Sequence, residues 1–249
     1  MIRLPRMSHK NKTVIIVGTG GTGCILLQNI AHLCYDSRHG CNVIIIDGDI
    51  VEETNIGRQK FTKDDLGKNK AQCLAARYSD VFGLDIGYIP EYIRDSKTLL
   101  KCLLDIEGLP ILVLCVDNQY TRQLAHQVFT NKDVQYLVYI DTGNEGGQGQ
   151  TVTGLKWKGV IYQDPVASLF PDILTATDKI KEEPSCGQVV VEKPQTLIEN
   201  IWSATIAMTY VSHIICNQEI PVHHTYFDVN NIRARSVENE RVQSELKLC

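Results

Sequence analysis

No run of apolar residues in this chain is long enough to cross a bilayer. The longest, Ile201 to Ile215, is broken by Ser203, Thr205, Thr209, Ser212 and His213, and a spanning helix needs ~20 predominantly apolar residues. The start, MIRLPRMSHKNKT, is basic but has no apolar stretch behind it, which argues against a secretory signal. Both absences predict a cytoplasmic protein without a membrane partner. Excess positive charge is absent too: 25 Lys and Arg stand against 29 Asp and Glu, for a net charge of -4. With no basic stripe to neutralise phosphates, nucleic acid is not an expected partner. Cysteine is plentiful at nine residues, yet no two form a C-x-x-C pair, so no structural zinc is expected. Cys24, Cys73, Cys102 and Cys115 fall in apolar patterns and read as small core residues. The odd, unpatterned set suits a reducing compartment. Internal repeats and low-complexity tracts are missing as well.

What is present is the material for one large α/β domain: 249 residues, 43% of them hydrophobic. A polar, basic arm over 1–12 gives way to VIIVGTGGTG, which reads as a buried strand ending in a tight turn. Apolar spacing predicts a helix over Cys24–Cys34, a strand over Asn42–Asp47, and a helix over Lys68–Tyr78. A short strand at Asp85–Pro90, a helix at Thr98–Leu104, a strand at Ile111–Val116, a helix at Thr121–Phe129 and a strand at Val134–Ile140 follow. This alternation predicts a Rossmann-like, mainly parallel sheet flanked by helices. The character changes after about Asp141. Glycines crowd 143–149, TVTGLKW alternates like an antiparallel strand, 162–187 reads as a crossing loop, Pro194–Cys216 as a helix and Val222–Val229 as a last strand. The expected organisation is therefore a single domain with a nucleotide-binding half over 13–141 and a crossover half with an antiparallel extension over 142–249.

Gly18-Thr19-Gly20-Gly21-Thr22-Gly23 lets backbone amides and a helix N-terminus approach a phosphate. Alone it suits NAD, FAD or ATP equally. Asp47 ends the next strand, 24 residues beyond Gly23, where an acid can accept both ribose hydroxyls. Arg58 and Lys70, with Asn55 and Gln59 beside them, place cationic and amide groups on the next loop and helix start. Hydride transfer has no use for such a cluster, whereas attack at an α-phosphate does, because charge moves onto the departing pyrophosphate. Asp117 follows ILVLCV at the carboxyl edge of the sheet, where a carboxylate can hold a hard cation. Asn118 and Arg122 read as residues that fix that turn and cap the next helix.

GTGGTG, DGDIVEETNIGRQ, LGKNKA and CVDNQYTR, in that order, resemble the ThiF/MoeB/HesA superfamily, which includes the adenylation domains of ubiquitin-activating enzymes. The resemblance is strongest over 13–125. It implies an ATP–Mg2+ site in which Gly18, Gly20, Gly21 and Gly23 form the loop and Asp47 holds the ribose. Asn55, Arg58, Gln59 and Lys70 would surround the phosphates, and Asp117 would hold magnesium. It further implies adenylation of the C-terminal carboxylate of a ubiquitin-like or sulfur-carrier protein, a small β-grasp partner ending in glycine. Cys186, in Pro184-Ser185-Cys186-Gly187, stands where some members carry a thiol that receives the activated carrier; other members manage with adenylation alone. Members are dimers, which puts Arg3 and Arg6 in position to reach a partner's ATP, against the alternative of a plain basic tail. The Pro-Ser-Cys segment also resembles the ThiF-like component of the bacterial PRTRC system. Two alternatives stand beside this reading: an NAD(P)-dependent Rossmann oxidoreductase, and a catalytically idle scaffold half.

Overall fold

The computed structural model describes residues 1–5, 12–36, 40–177 and 196–238. In chain order the strands are β1 (Ile2–Arg3), β2 (Lys12–Val17), β3 (Asn42–Ile46), β4 (Ile86–Ile89), β5 (Leu109–Leu114), β6 (Tyr136–Glu145), β7 (Gln148–Trp157), β8 (Val160–Gln163), β9 (Glu219–Ile220), β10 (His224–Asp228) and β11 (Arg233–Val237). The helices are α1 (Gly21–Tyr35), α2 (Lys70–Phe82), α3 (Ser96–Leu104), α4 (Gln119–Thr130), two single turns α5 (Val166–Leu169) and α6 (Asp172–Thr175), and α7 (Leu197–Ser212), which ends in a π turn over His213–Asn217.

The main sheet has the order β11-β10-β7-β6-β5-β2-β3-β4, with β8 paired to β7. The run from β6 to β4 is parallel throughout. β2 and β5 lie side by side at its centre and are buried along their whole length, as their unbroken apolar runs demand. Alternate side chains of each strand serve two cores. Val14 and Ile16 pack with α1, α2 and α7, whereas Ile15 and Val17 pack with α3, α4 and the two short turns. This is a doubly wound α/β fold, with the strand order reversing between β2 and β5.

Beyond β6 the sheet turns antiparallel. Gly146 and Gly147, at φ +63° and +87°, close a two-residue hairpin between β6 and β7, the geometry that needs positive φ at both turn positions. β6 runs through 141 and 142 without a break, and β7, β10 and β11 extend it. The alternation expected of TVTGLKW does not separate a wet face from a dry one: 151–157 are buried throughout. α7 covers one face and the α4–α5 side the other. Lys156 stays inside because its ammonium donates to the carbonyls of Phe129 and Asn131 at the end of α4.

The start of the chain corrects an expectation. Ile2 and Leu4 are buried, β1 pairs antiparallel with β9, and Lys12 already belongs to β2. Two apolar side chains and one strand pair anchor what reads as a polar arm. Likewise β11 extends the sheet beyond the single strand expected at Val222–Val229. No helix among the described residues is long and apolar enough to cross a membrane.

Candidate active site

The carboxyl ends of β2, β3 and β5 converge at the point where strand order reverses, the crevice in which open α/β sheets bind ligands. Backbone bonds tie the three ends together: Gly18 N donates to Ile46 O at 2.9 Å and Cys115 N to Val17 O at 2.8 Å. Gly18 sits at φ +87°, and a Cβ there would stand 2.7 Å from the Cys115 carbonyl oxygen, so both backbone conformation and contact require glycine. A Cβ on Gly23 would lie 1.9 Å from Gly18 O, and one on Gly21 2.2 Å from Asn200 Nδ2. Gly20 differs, because a Cβ there would meet nothing within 4 Å. The hollow at Gly20 lies at the start of α1. Asn69, Asp95, Asn118 and Thr196 each cap a helix through their side chains, but α1 has no side-chain cap and no acid in its first turn. Among the described residues no side chain meets its first-turn amides, and the positive end of a helix dipole favours an anion.

Asp47 is buried below this turn. Its Oδ2 accepts from Thr19 N at 2.6 Å and Thr19 Oγ1 at 2.8 Å, and its Oδ1 accepts from Asp49 N at 2.8 Å. A carboxylate has about four acceptor sites, so three are spent on shaping the loop. Burial, then the charge of Asp49, pushes the Asp47 carboxyl up. Asp49 in turn holds Lys70: the buried ammonium donates to Asp49 Oδ2 at 2.9 Å, and the Tyr92 hydroxyl donates to Asp49 Oδ1. Asn69 Nδ2 binds the carbonyls of Asp47 and Asp49 at 2.9 and 3.1 Å, fixing the start of α2 to the end of β3.

Between them, 50–60 loops back over α1, with Lys60 N donating to Cys24 Sγ at 3.3 Å. Asn55 Oδ1 accepts from Glu52 N at 2.9 Å and closes a 3-10 turn over Glu53–Asn55. Asn55 thus shapes the loop whatever its Nδ2 does. Gln59 is buried with its Oε1 unpaired among the described residues. Turning that amide over places Nε2, a donor, at the same spot. Arg58 is half-buried and makes no hydrogen bond or ion pair within the described structure.

Asp117 follows β5 and is exposed, with no hydrogen bond or ion pair among the described residues. Its neighbours hold the turn. Asn118 Oδ1 caps α4 by accepting from Thr121 N at 2.8 Å. Arg122 is buried; its Nε donates to both oxygens of Asp141 at 3.1 and 3.0 Å, and its Nη2 binds the carbonyls of Val116 and Thr142 at 2.9 Å each. Asn118 and Arg122 therefore have the structural roles their positions suggested. Among the described residues this leaves an α1 start without a side-chain cap, a guanidinium at Arg58 and a buried amide oxygen at Gln59 without partners, and an exposed carboxylate at Asp117.

The ThiF family profile matches residues 7–249. The chain belongs to the ThiF family. Among its relatives, the NEDD8-activating enzyme E1 catalytic subunit of Saccharomyces cerevisiae is 26% identical over 193 residues, 74% of this chain and 61% of that one. Its Drosophila melanogaster counterpart is 41% identical over 144 residues, 55% of this chain and 31% of that one. The SAMP-activating enzyme E1 of Haloferax volcanii is 28% identical over 167 residues, 65% of this chain and 58% of that one. This ThiF-family chain thus spans less than two thirds of these relatives' length. E. coli MccB solved with ATP shares the fold at a TM-score of 0.63, with 20% identity over 92% of this chain and 63% of that one. Family membership displaces the dinucleotide oxidoreductase alternative.

Several contacts at this candidate site carry no signal in local spacing. Thr19, Asp49 and Tyr92 are set by pairings 28 and 43 residues apart in the chain. Asn200, fully buried on α7, accepts from Thr22 Oγ1 at 3.3 Å and Asn144 Nδ2 at 3.1 Å and packs on Gly21. A polar residue inside an apolar helix was the only clue to it. Cys186 and Arg6 lie outside the described residues. Arg3 is placed by β1 beside Glu219, near the amino end of β2 and away from its own glycine turn.

Proposed function

We propose that this chain adenylates the C-terminal carboxylate of a ubiquitin-like or sulfur-carrier protein at the expense of ATP. The observation that carries the reading is the start of α1, open at Gly20 and without a side-chain cap among the described residues, at the carboxyl ends of β2, β3 and β5. The relatives' names, activating enzymes for NEDD8 and for SAMP, support a protein carrier. A carboxylate is already a nucleophile at neutral pH, so the site needs no general base. Its oxygen attacks the α-phosphorus, the bond to the bridging oxygen breaks, and pyrophosphate leaves with the charge.

Backbone amides of α1 hold phosphate oxygens, Asp47 takes one ribose hydroxyl, and Arg58 meets the charge on the leaving pyrophosphate. Lys70 keeps two ammonium protons beyond the one given to Asp49; these serve the phosphates. Gln59 and Asn55 line the same path. Mg2+ bound at Asp117 would supply neutralisation of the phosphate charge. The carrier is a small β-grasp protein ending in glycine, and the enzyme works as a homodimer in which Arg3 or Arg6 serves the partner's site. Cys186 would take the carrier from the adenylate, releasing AMP. The Pro184-Ser185-Cys186 segment supports placement beside the ThiF-like component of the PRTRC system.

The test is ATP–pyrophosphate exchange with a β-grasp carrier bearing a free glycine terminus. Exchange is expected only with carrier present. Arg58→Ala and Asp117→Ala should each slow it by about 10²-fold or more, as loss of a charge-stabilising group does. An Asp117→Ala protein exchanging at the wild-type rate would sink the assignment.

A further inference from the structure

A second cluster of reactive side chains sits at the opposite end of the sheet from the glycine turn. Cys34, in the last turn of α1, and Cys41, just before β3, bring their sulfurs to 2.9 Å. Cys34 Sγ also lies 3.6 Å from the Cys41 carbonyl oxygen. With that carbonyl receiving the Cys34 proton, the Cys41 thiol donates to the Cys34 sulfur. The buried ammonium of Lys12, at the start of β2, donates to Ile215 O at 3.1 Å and bears electrostatically on both Cys41 and Cys216. Cys216 lies in the π turn and lines a 430 Å³ cavity with Arg3, Leu4, Asn217, Gln218 and Glu219. At this separation the chemistry the close pair suggests is that of sulfur on sulfur.

We propose that Cys34 and Cys41 are a redox-active dithiol, closed to an intramolecular disulfide by a hydroperoxide and reopened by a small thiol. The Cys34 sulfur attacks the peroxide oxygen, giving a sulfenic acid and one water from hydrogen peroxide. The Cys41 sulfur then attacks Cys34 sulfur, the S–O bond breaks, and the hydroxyl leaves as a second water with the Cys41 proton. Two thiols lose two electrons and the peroxide gains them. Cys34 is the attacking sulfur because the hydrogen bond from Cys41 pulls its thiol down, and the same bond, with burial, pushes Cys41 up; a thiolate is the nucleophile in such exchange. Both residues join elements that reach the crevice, α1 from Gly21 and β3 toward Asp47, yet they lie at the far ends of those elements.

The experiment treats the full-length, reduced protein with stoichiometric hydrogen peroxide, alkylates it under denaturing conditions and maps the peptides. The expected result is a Cys34–Cys41 linked peptide, two fewer alkylated thiols among the nine cysteines, and full recovery with dithiothreitol. Cys216→Ser should keep the link, and Cys41→Ser should lose it. The wild-type map needs no variant to fold, so it decides alone. Recovery of both residues as alkylated thiols, a link to Cys216 in their place, or Cys34 as sulfinic acid without a link would each overturn the proposal.

Discussion

A single methyl group distinguishes the glycines of the turn after β2. On Gly23 it would collide with the backbone carbonyl of Gly18, whereas on Gly20 it would point into open space. Gly23→Ala is therefore expected to cost about 2 kcal/mol or more in urea unfolding, since the atom in the way is backbone and must shift to make room. Gly20→Ala should unfold within about 0.5 kcal/mol of wild type, as a change away from any packed contact does. It should nevertheless weaken ATP at least about tenfold by calorimetry, equal to about 1.4 kcal/mol; unchanged ATP affinity would remove Gly20 from the site. The glycine cluster, Asp47, Arg58 and Lys70 are legible in the sequence because their spacing is local. Their partners are not: Thr19 with Asp47, Tyr92 with Asp49 and Asn200 with Thr22 meet only after the sheet has brought distant segments together. Asp47 accordingly shapes the loop with three of its acceptor positions, a role its strand-end placement does not reveal.

The turn that bears Asp117 is held from α4. Arg122 spends its guanidinium on Asp141 and on the carbonyls of Val116 and Thr142, linking β5, α4 and β6. Burial pushes the Asp141 carboxyl up, and Arg122 opposes that shift. Removing one partner leaves an uncompensated buried charge, which costs about 3–5 kcal/mol. Arg122→Met is expected to lose that much in denaturant titration, and adding Asp141→Leu should return a large part of it. A double variant no more stable than the single would show that the pair itself is not the source. At this scale the parallel half of the fold is legible in the sequence, because continuous apolar runs separated by helical patterns leave few other arrangements. The alternation in β7 shows a strand but not its burial on both faces, since α7 arrives from 40 residues downstream. β1 and β9 are two residues each, too short for any periodicity to register.

Across the whole molecule, stability should depend on acid through His224. Its imidazole is buried on β10 against the rings of Phe170 and Tyr226, with Nε2 unpaired among the described residues. Burial, then the neighbouring His223, lowers its pKa from 6.5 to about 4. The unfolded chain takes up a proton near pH 6.5 while the folded one does not until about pH 4. This contribution is therefore complete above pH 6.5 and drains away as pH falls through that window, by about 3 kcal/mol at its end. His224→Phe keeps the ring contacts and should flatten the fall in urea midpoint between pH 7 and pH 4; parallel curves for the two proteins would refute it.

The hairpin at Gly146-Gly147 moves the margin of the sheet outward from β6 to β11, every residue of which is exposed. Among the described strands nothing pairs with its outer side, and an open strand margin is a template for a second copy of itself. Here Arg233 and Arg235 occupy it, so two molecules that approach margin to margin meet like charge first. Solubility at high concentration is therefore expected to depend on this strand. Replacing both arginines with valine should raise static light scattering with concentration while leaving the melting temperature near that of wild type. Scattering that stayed flat would place the protection elsewhere.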